Sequence, residues 1–140
     1  MSETFLTRAR HNHKVAMSLW NIMGNDELYL NSIGYNLQQS VELAIMFILE
    51  KNGVTYSRTH ELVQLYQISK KENVNLLLSE YMYDHLEMFT SWEAKTRYIL
   101  DFVLEKDKVQ RAMKEVHKYL LSVEKEYDTV SYSINTLINC

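Results

Sequence analysis

The chain has 140 residues, 46% hydrophobic and 24% charged, which is typical of one soluble globular domain. Its formal net charge of −3 argues against strong non-specific affinity for nucleic acid, which usually requires a basic surface. The one cysteine, Cys140, excludes a disulfide framework and a thiolate metal site.

Proline is absent and glycine occurs only three times, so the residues that most often interrupt helices are scarce. A first helix is predicted from Glu3 to about Met23, because apolar residues recur there at three- and four-residue steps. Ser2 or Thr4 is the expected N-cap. The GND stretch at residues 24–26 ends this helix and is expected to supply the N-cap of the next one.

A second helix is predicted to run to Asn52, with Gly53 as the left-handed residue that ends it. Gly34 inside this helix either allows close packing or marks a bend. Residues 54–59 are predicted to form an extended linker. Thr59 then caps a third, shorter helix that begins HELVQL.

A fourth helix is predicted from about Val74 to Phe89, and its pattern allows a continuation through residues 90–105. The TSW stretch at residues 90–92 is the expected interruption. A fifth helix is predicted from about Lys106 to Glu126, where apolar residues again recur at helical spacing.

Together these elements predict an all-α, up-and-down helical bundle of four main helices plus a shorter one, as a single domain over residues 1–126. Residues 127–140 are predicted to form a polar C-terminal tail. No apolar run approaches the roughly 18 residues of a membrane span, and the polar N-terminus lacks a signal-peptide core. The expectation is a cytoplasmic protein without a membrane partner.

The spacing of possible ligands argues against metal chemistry. Carboxylate-bridged metals in helical bundles use a Glu-x-x-His pair on each of two helices, and no glutamate here has a histidine three residues later. No Gly-rich phosphate loop is present either. We therefore expect no metal and no cofactor. The mixed charge of the third helix argues against a DNA-recognition helix, so no DNA partner is expected.

The second helix carries a polar face ahead of its apolar half, formed by Tyr35, Gln38, Gln39 and Glu42. A core helix has no need of glutamines, so the face has two interpretations. It is either solvated surface, or it forms hydrogen bonds across helices or across a dimer, because buried polar groups must be paired.

This region resembles the HEPN family (higher eukaryotes and prokaryotes nucleotide-binding domain). In that family a Gln-Gln-x-x-Glu helix is followed by a glycine, a short linker and a His-Asp/Glu-Leu start to the next helix. The matching residues here are Gln38, Gln39, Glu42, Gly53, His60, Glu61 and Leu62.

Two flanking segments extend the resemblance, which covers about residues 7–121 in one consistent order. Upstream, Ala9, Asn12 and Ala16 match the Ala-x-x-Asp-x-x-x-Ala element of the family. Downstream, the TRY stretch at residues 96–98 looks like its Arg-Tyr-Pro element.

The sequence departs from the family at several positions. Asn12 replaces the aspartate, Met46 replaces the lysine that usually follows the glutamate by four residues, and Ile99 replaces the proline. Many members are metal-independent ribonucleases with an Arg-x4–6-His motif, whose arginines and histidines from two subunits meet at a dimer interface. The corresponding window after Arg97 holds residues 102–104, which include no histidine.

Two other segments satisfy the bare spacing, Arg8 to His13 and Arg111 to His117. Arg111 and His117 are the candidates for a catalytic pair, although six residues along a helix place their side chains about 120° apart around the axis. We expect His11 and His13 to lie in the solvent or at the dimer contact.

The resemblance implies a homodimer with a cleft for a nucleotide or RNA. The implied ligand-binding residues are Gln38, Gln39, Glu42, His60, Arg97 and Tyr98. For His60, satisfying backbone groups at the start of the third helix is an alternative role.

The leading hypothesis is a non-catalytic nucleotide- or RNA-binding module paired with a minimal nucleotidyltransferase, as in toxin–antitoxin systems. One alternative is a metal-independent ribonuclease with a divergent Arg/His pair. The other is a purely structural dimeric interaction protein.

Overall fold

A computed structural model describes residues 4–56, 59 and 61–127. Six helices lie in this part of the chain, and it contains no strand, so the all-α prediction is confirmed. They are α1 (Phe5–Met23), α2 (Tyr29–Lys51), α3 (Leu62–Lys71), α4 (Glu80–Asp84), α5 (Leu86–Tyr98) and α6 (Lys106–Tyr127). The four longest helices form the predicted bundle. Its central member is α2, which packs against α1, α5, α6 and α3.

The start of α1 is fixed by a reciprocal pair of threonines. The Thr4 hydroxyl accepts a hydrogen bond from the Thr7 backbone N–H (3.1 Å), and the Thr7 hydroxyl accepts one from the Thr4 N–H (2.8 Å). This capping box pairs two backbone donors that have no partner within the helix. It begins α1 at Phe5, two residues later than predicted.

The turn between α1 and α2 differs from the prediction. Asp26 accepts a hydrogen bond from the Leu28 N–H (3.1 Å) inside the turn, so α2 begins at Tyr29 without a side-chain cap. At its other end α2 finishes at Lys51, and Gly53 has φ +69°, the left-handed conformation that was predicted. Gly53 can adopt it without the steric cost that a Cβ atom imposes.

The predicted fourth helix is wrong in both its start and its interruption. Residues 74–79 are not helical, because Asn73 and Leu77 have φ of 57° and 61°, and Ser79 then caps α4. The break falls at His85 between α4 and α5 instead of at residues 90–92, which lie inside α5. There the side-chain hydroxyls donate to carbonyl oxygens of the preceding helical turn and leave the backbone helical.

Gly34 allows the close approach of α2 to its neighbours. A Cβ atom at this position would overlap Leu104 Cδ1 and lie 3.2 Å from Trp92 Cε3. Trp92 and Leu104 are both buried. Close packing is therefore the role of Gly34, and it lies immediately before Tyr35, the first residue of the polar face.

Three further observations bear on the predictions. Among the described residues, no helix is both long enough and apolar enough to cross a membrane. The same part of the chain holds no group of three or more His, Cys, Asp or Glu side chains placed to bind a metal ion. Tyr127, assigned to the tail by the sequence, is the last residue of α6, while residues 128–140 lie outside the described residues.

Candidate functional site

The polar face of α2 is largely buried. Gln38 has no exposed surface and Glu42 is 5% exposed, whereas Gln39 is partly exposed. The Gln39 amide donates to Gln38 Oε1 (2.7 Å), and the Gln38 amide lies 3.4 Å from Glu42 Oε1. The solvated-surface interpretation is therefore wrong for Gln38 and Glu42. Burial of these groups requires the hydrogen bonds that run along the helix.

Arg97 lies at the other end of this face, on the last turn of α5. Its Nη1 donates to Glu93 Oε1 (2.9 Å), one turn earlier on the same helix. Its guanidinium carbon lies 5.5 Å from the centre of the Tyr35 ring on α2. The arginine side chain is 49% exposed, so its outer N–H groups are accessible from solvent. An arginine in this position can bind a phosphate or carboxylate with two parallel hydrogen bonds.

A cleft of about 400 Å³ lies between α2 and α5 beside this arginine. Its lining is polar, formed by amides, hydroxyls, one aromatic ring and one guanidinium. The lining residues are Asn31, Ser32, Tyr35, Asn36, Thr96 and Arg97. Asn36 donates from its amide to the Ser32 carbonyl. We call this hollow the Arg97 cleft.

The predicted ligand-binding residues are only partly brought together. Arg97 lines the cleft with Tyr35, but Gln38, Gln39 and Glu42 do not contribute to its lining. Tyr98 points away into solvent, with 76% of its surface exposed. His60 lies outside the described residues, so its predicted place beside Arg97 stays a prediction.

The candidate catalytic pair on α6 is separated. The Arg111 guanidinium lies 5.0 Å from the centre of the Tyr81 ring and faces a hollow shared with His85 and Met88. His117 contacts a different arginine, and Arg10 Nη1 donates to its Nδ1 at 3.1 Å. Within one chain, Arg111 and His117 therefore have different surroundings, as expected from their angular separation on the helix.

Arg10 connects α1 to α6 through a cluster of side chains that no sequence motif indicated. Besides its contact with His117, its Nε and Nη2 both donate to Glu124 Oε1, at 2.9 and 2.8 Å. His117 and Glu124 are seven residues apart, which is two helical turns, so they share one face of α6. The seven-residue spacing is evident in the sequence, but the sequence does not indicate that Arg10 contacts both residues.

His13 completes the cluster, and its predicted exposure is wrong. It is 2% exposed, its ring stacks on His117 with centres 5.4 Å apart, and its Nε2 lies 3.0 Å from the Met113 carbonyl oxygen. The carbonyl can only accept, so Nε2 is the donor. Burial lowers the pKa of His13 below 6.5, partly offset by this hydrogen bond, and the nearby His117 and Arg10 lower it further. His11, by contrast, is exposed as predicted.

Comparison with known protein families assigns most of this chain to one family. The family described as HEPN domain matches residues 2–126, nearly the whole helical bundle. No curated protein and no solved structure gives a significant match. The family match covers α1 and α5, which carry the Arg10 cluster and the Arg97 cleft, as well as the polar face of α2.

Proposed function

Because the chain belongs to the HEPN family, we propose that it is a nucleotide- or RNA-binding module without catalytic activity of its own. The proposal includes a homodimer and a minimal nucleotidyltransferase as the partner protein, in the manner of a toxin–antitoxin pair. Its family relationship supports a role connected with nucleotides or RNA. The chemistry of the Arg97 cleft supports its assignment as the ligand-binding site.

The half-exposed Arg97 guanidinium over the Tyr35 ring is the observation that carries the proposal. The tyrosine face and Glu93 hold the guanidinium in one orientation, which reduces the conformational entropy lost when it binds a ligand. Its outer N–H groups can then donate to a phosphate oxygen. The Asn36 amide oxygen in the same cleft offers an acceptor to a base or ribose, whereas the Asn31 amide is already bound to the Phe102 carbonyl and the Leu104 N–H.

Exposed apolar residues after α5 support a protein partner. Leu100 is 97% exposed, Ile99 is 50% exposed and Val103 is 38% exposed, in the segment that joins α5 to α6. Burying such a patch against a second protein surface is favourable at about 25 cal/mol per Å² of apolar area. A Leu100→Glu variant should therefore lower the fraction of dimer measured by light scattering, while the exposed control Leu121→Glu should not.

The binding experiment uses a short labelled RNA and, separately, AMP, with a matched arginine as control. Arg97→Ala should weaken binding by about tenfold or more, since it removes a charge-assisted contact to phosphate. Arg111→Ala is the matched control, because that exposed arginine also lies over a tyrosine ring. Equal affinities for the two variants and the parent protein would contradict the proposed site.

The contact between Arg10 and His117 favours one second candidate, a metal-independent ribonuclease. An arginine and a histidine in direct contact could supply phosphate binding and proton transfer at one place. RNA incubated with the protein in EDTA distinguishes the two functions. Cleavage that disappears in His117→Ala would establish the enzyme, whereas binding without cleavage supports the non-catalytic module.

A further inference from the structure

The first half of α1 concentrates basic residues on a helix that has no acidic residue of its own. Between Phe5 and Met23 the helix has no aspartate or glutamate, and its cations and histidines all fall within residues 8–14. Arg10 and Lys14 are four residues apart, a like-charge spacing that destabilises a helix by a few tenths of a kcal/mol. Glu124 offsets the charge of Arg10, and a bound anion would offset that of Lys14.

Some cations on other helices are neutralised locally. Lys108, Lys118 and Arg97 each pair with a glutamate three or four residues earlier on the same helix or at its start. In the part of the chain that the structure describes, neither Lys14 nor Lys51 forms an ion pair. Lys51 instead places its ammonium 5.5 Å from the centre of the Phe47 ring. These two lysines are therefore available to an anionic ligand.

Both lysines line one cavity of about 520 Å³, bounded by the start of α1 and the ends of α2 and α6. We call it the Lys14 groove. Arg10, Lys14 and Lys51 supply three permanent positive charges to it, and Glu124 supplies one negative charge. That carboxylate is already bound by Arg10 at 2.8 Å. The groove thus retains a net positive charge in a chain whose formal net charge is −3.

Aromatic side chains form one wall of the groove beside these cations. Phe47 and Tyr127 pack edge to face with ring centres 5.5 Å apart, and both line the cavity. His11 adds a further donor at the rim. A simple carboxylate needs only one cation, whereas a phosphomonoester carries about −1.5 to −2 charges at pH 7 and is better matched by two. The aromatic wall suits an organic group attached to that phosphate.

We propose that the Lys14 groove is a second ligand site, which binds the phosphate of an organic phosphate between Lys14 and Lys51. It is separate from the Arg97 cleft. Lys51 follows Tyr35 by 16 residues along α2, which corresponds to about 24 Å at 1.5 Å per residue. The inference goes beyond the proposed function, and either site can exist without the other.

The test is a calorimetric titration of AMP into the Arg97→Ala variant. This background is used so that the Arg97 cleft contributes least to the measured binding. Adding Lys14→Glu or Lys51→Glu to this background should weaken AMP binding by about tenfold or more, since each removes and reverses a charge at the phosphate. Adding Lys108→Glu is the matched control and should change the affinity by less than about twofold, because that exposed lysine lies elsewhere on α6.

Two further titrants define the ligand. Adenosine should bind at least tenfold more weakly than AMP if the phosphate is the recognised group. Inorganic phosphate should bind more weakly than AMP if the aromatic wall contributes, and equal affinity would overturn that part of the proposal. Unfolding curves for each variant, with Lys14→Gln as a milder substitution, ensure that only folded proteins are compared.

The outcomes separate this inference from the proposed function. Loss of AMP binding in Arg97→Ala alone, with no effect of Lys14→Glu in the unsubstituted protein, would overturn the second site and support the first. Equal effects of Lys14→Glu and Lys108→Glu would show non-specific attraction and overturn the groove as a site. Binding that survives Arg97→Ala and is lost with Lys14→Glu or Lys51→Glu supports it.

Discussion

The two ends of α2 place cations beside aromatic rings, but they differ in how those cations are neutralised. At the N-terminal end, Arg97 lies over Tyr35 and donates to Glu93 one turn away. At the C-terminal end, Lys51 lies over Phe47 without an ion pair among the described residues. A neutralised arginine is held in a fixed orientation, whereas cations without counter-charges raise the local potential. The first end favours specificity, and the second favours attraction of an anion.

Enlarging Gly34 should have the largest effect, because it pushes α2 away from Trp92 on α5 and from Leu104. Gly34→Leu is expected to lower the free energy of unfolding by about 3 kcal/mol, since the new side chain must displace Trp92 and Leu104. Urea denaturation measures this loss. Ser18→Leu, on the exposed side of α1, is the control and should change stability by less than about 0.5 kcal/mol.

Removing the charge of Arg10 should loosen α1 from α6 at the opposite end of the molecule. Arg10→Met keeps much of the apolar stem but leaves Glu124 and His117 without this partner. The expected loss of stability is about 1 kcal/mol, since the pair is partly solvated. Lys118→Met breaks a more exposed pair with Glu115 and should cost less. An equal or smaller loss for Arg10→Met would show that this tie contributes little.

Neutralising Glu93 sharpens the contrast between the two ends. Glu93→Gln removes the carboxylate charge that competes for Arg97, while the amide oxygen can still accept its hydrogen bond. The affinity of the Arg97 cleft for a labelled RNA should then rise about threefold, an effect below 1 kcal/mol. The substitution should leave AMP binding at the Lys14 groove unchanged. An unchanged affinity for RNA would indicate that Arg97 has only a structural role.

The smallest expected effect is a shallow pH dependence from His13. Burial lowers its folded-state pKa below the ordinary value of 6.5, so between these two values the unfolded chain binds more protons than the folded one. The contribution of His13 is therefore fully present above 6.5 and declines as the pH falls through 6.5 toward the folded-state pKa.

His13→Gln tests this sign, because its amide can still donate to the Met113 carbonyl while it does not titrate. Melting temperatures measured from pH 7.5 to pH 5 should fall less steeply for this variant than for the parent protein. His11→Gln, at an exposed position, should retain the parent slope. Identical slopes for all three proteins would contradict the assignment to His13.

Local signals in the sequence predicted most of the helices correctly. The apolar spacing located α1, α2 and α6 to within a few residues, and Gly53 has the predicted left-handed conformation after α2, because helix periodicity and left-handed glycines act over one or two turns. The region from Val74 to Phe89 failed. Its apolar spacing resembles a helix, but the left-handed conformation of Leu77 and the break at His85 are not encoded in that spacing.

The candidate sites were less predictable than the fold. The family resemblance singled out Arg97, and the structure places it on the Arg97 cleft beside Tyr35. The same resemblance could not show that Gln38 and Glu42 are buried. They lie one turn apart on α2 and contact each other instead of lining that cleft. Whether these residues bind a ligand stays a prediction.

The sequence by itself determined the helical class, the main helix positions and the family, because periodicity, chain breakers and short motifs are properties of neighbouring residues. Only the tertiary structure decided which distant side chains meet. Arg10 and His117 are separated by 107 positions and still lie in hydrogen-bond contact. The same packing brings Lys14 and Lys51, from different helices, to one cavity. Such contacts depend on how whole helices pack, since the rotation and offset of each helix are set by the shared core and not by any local stretch of sequence.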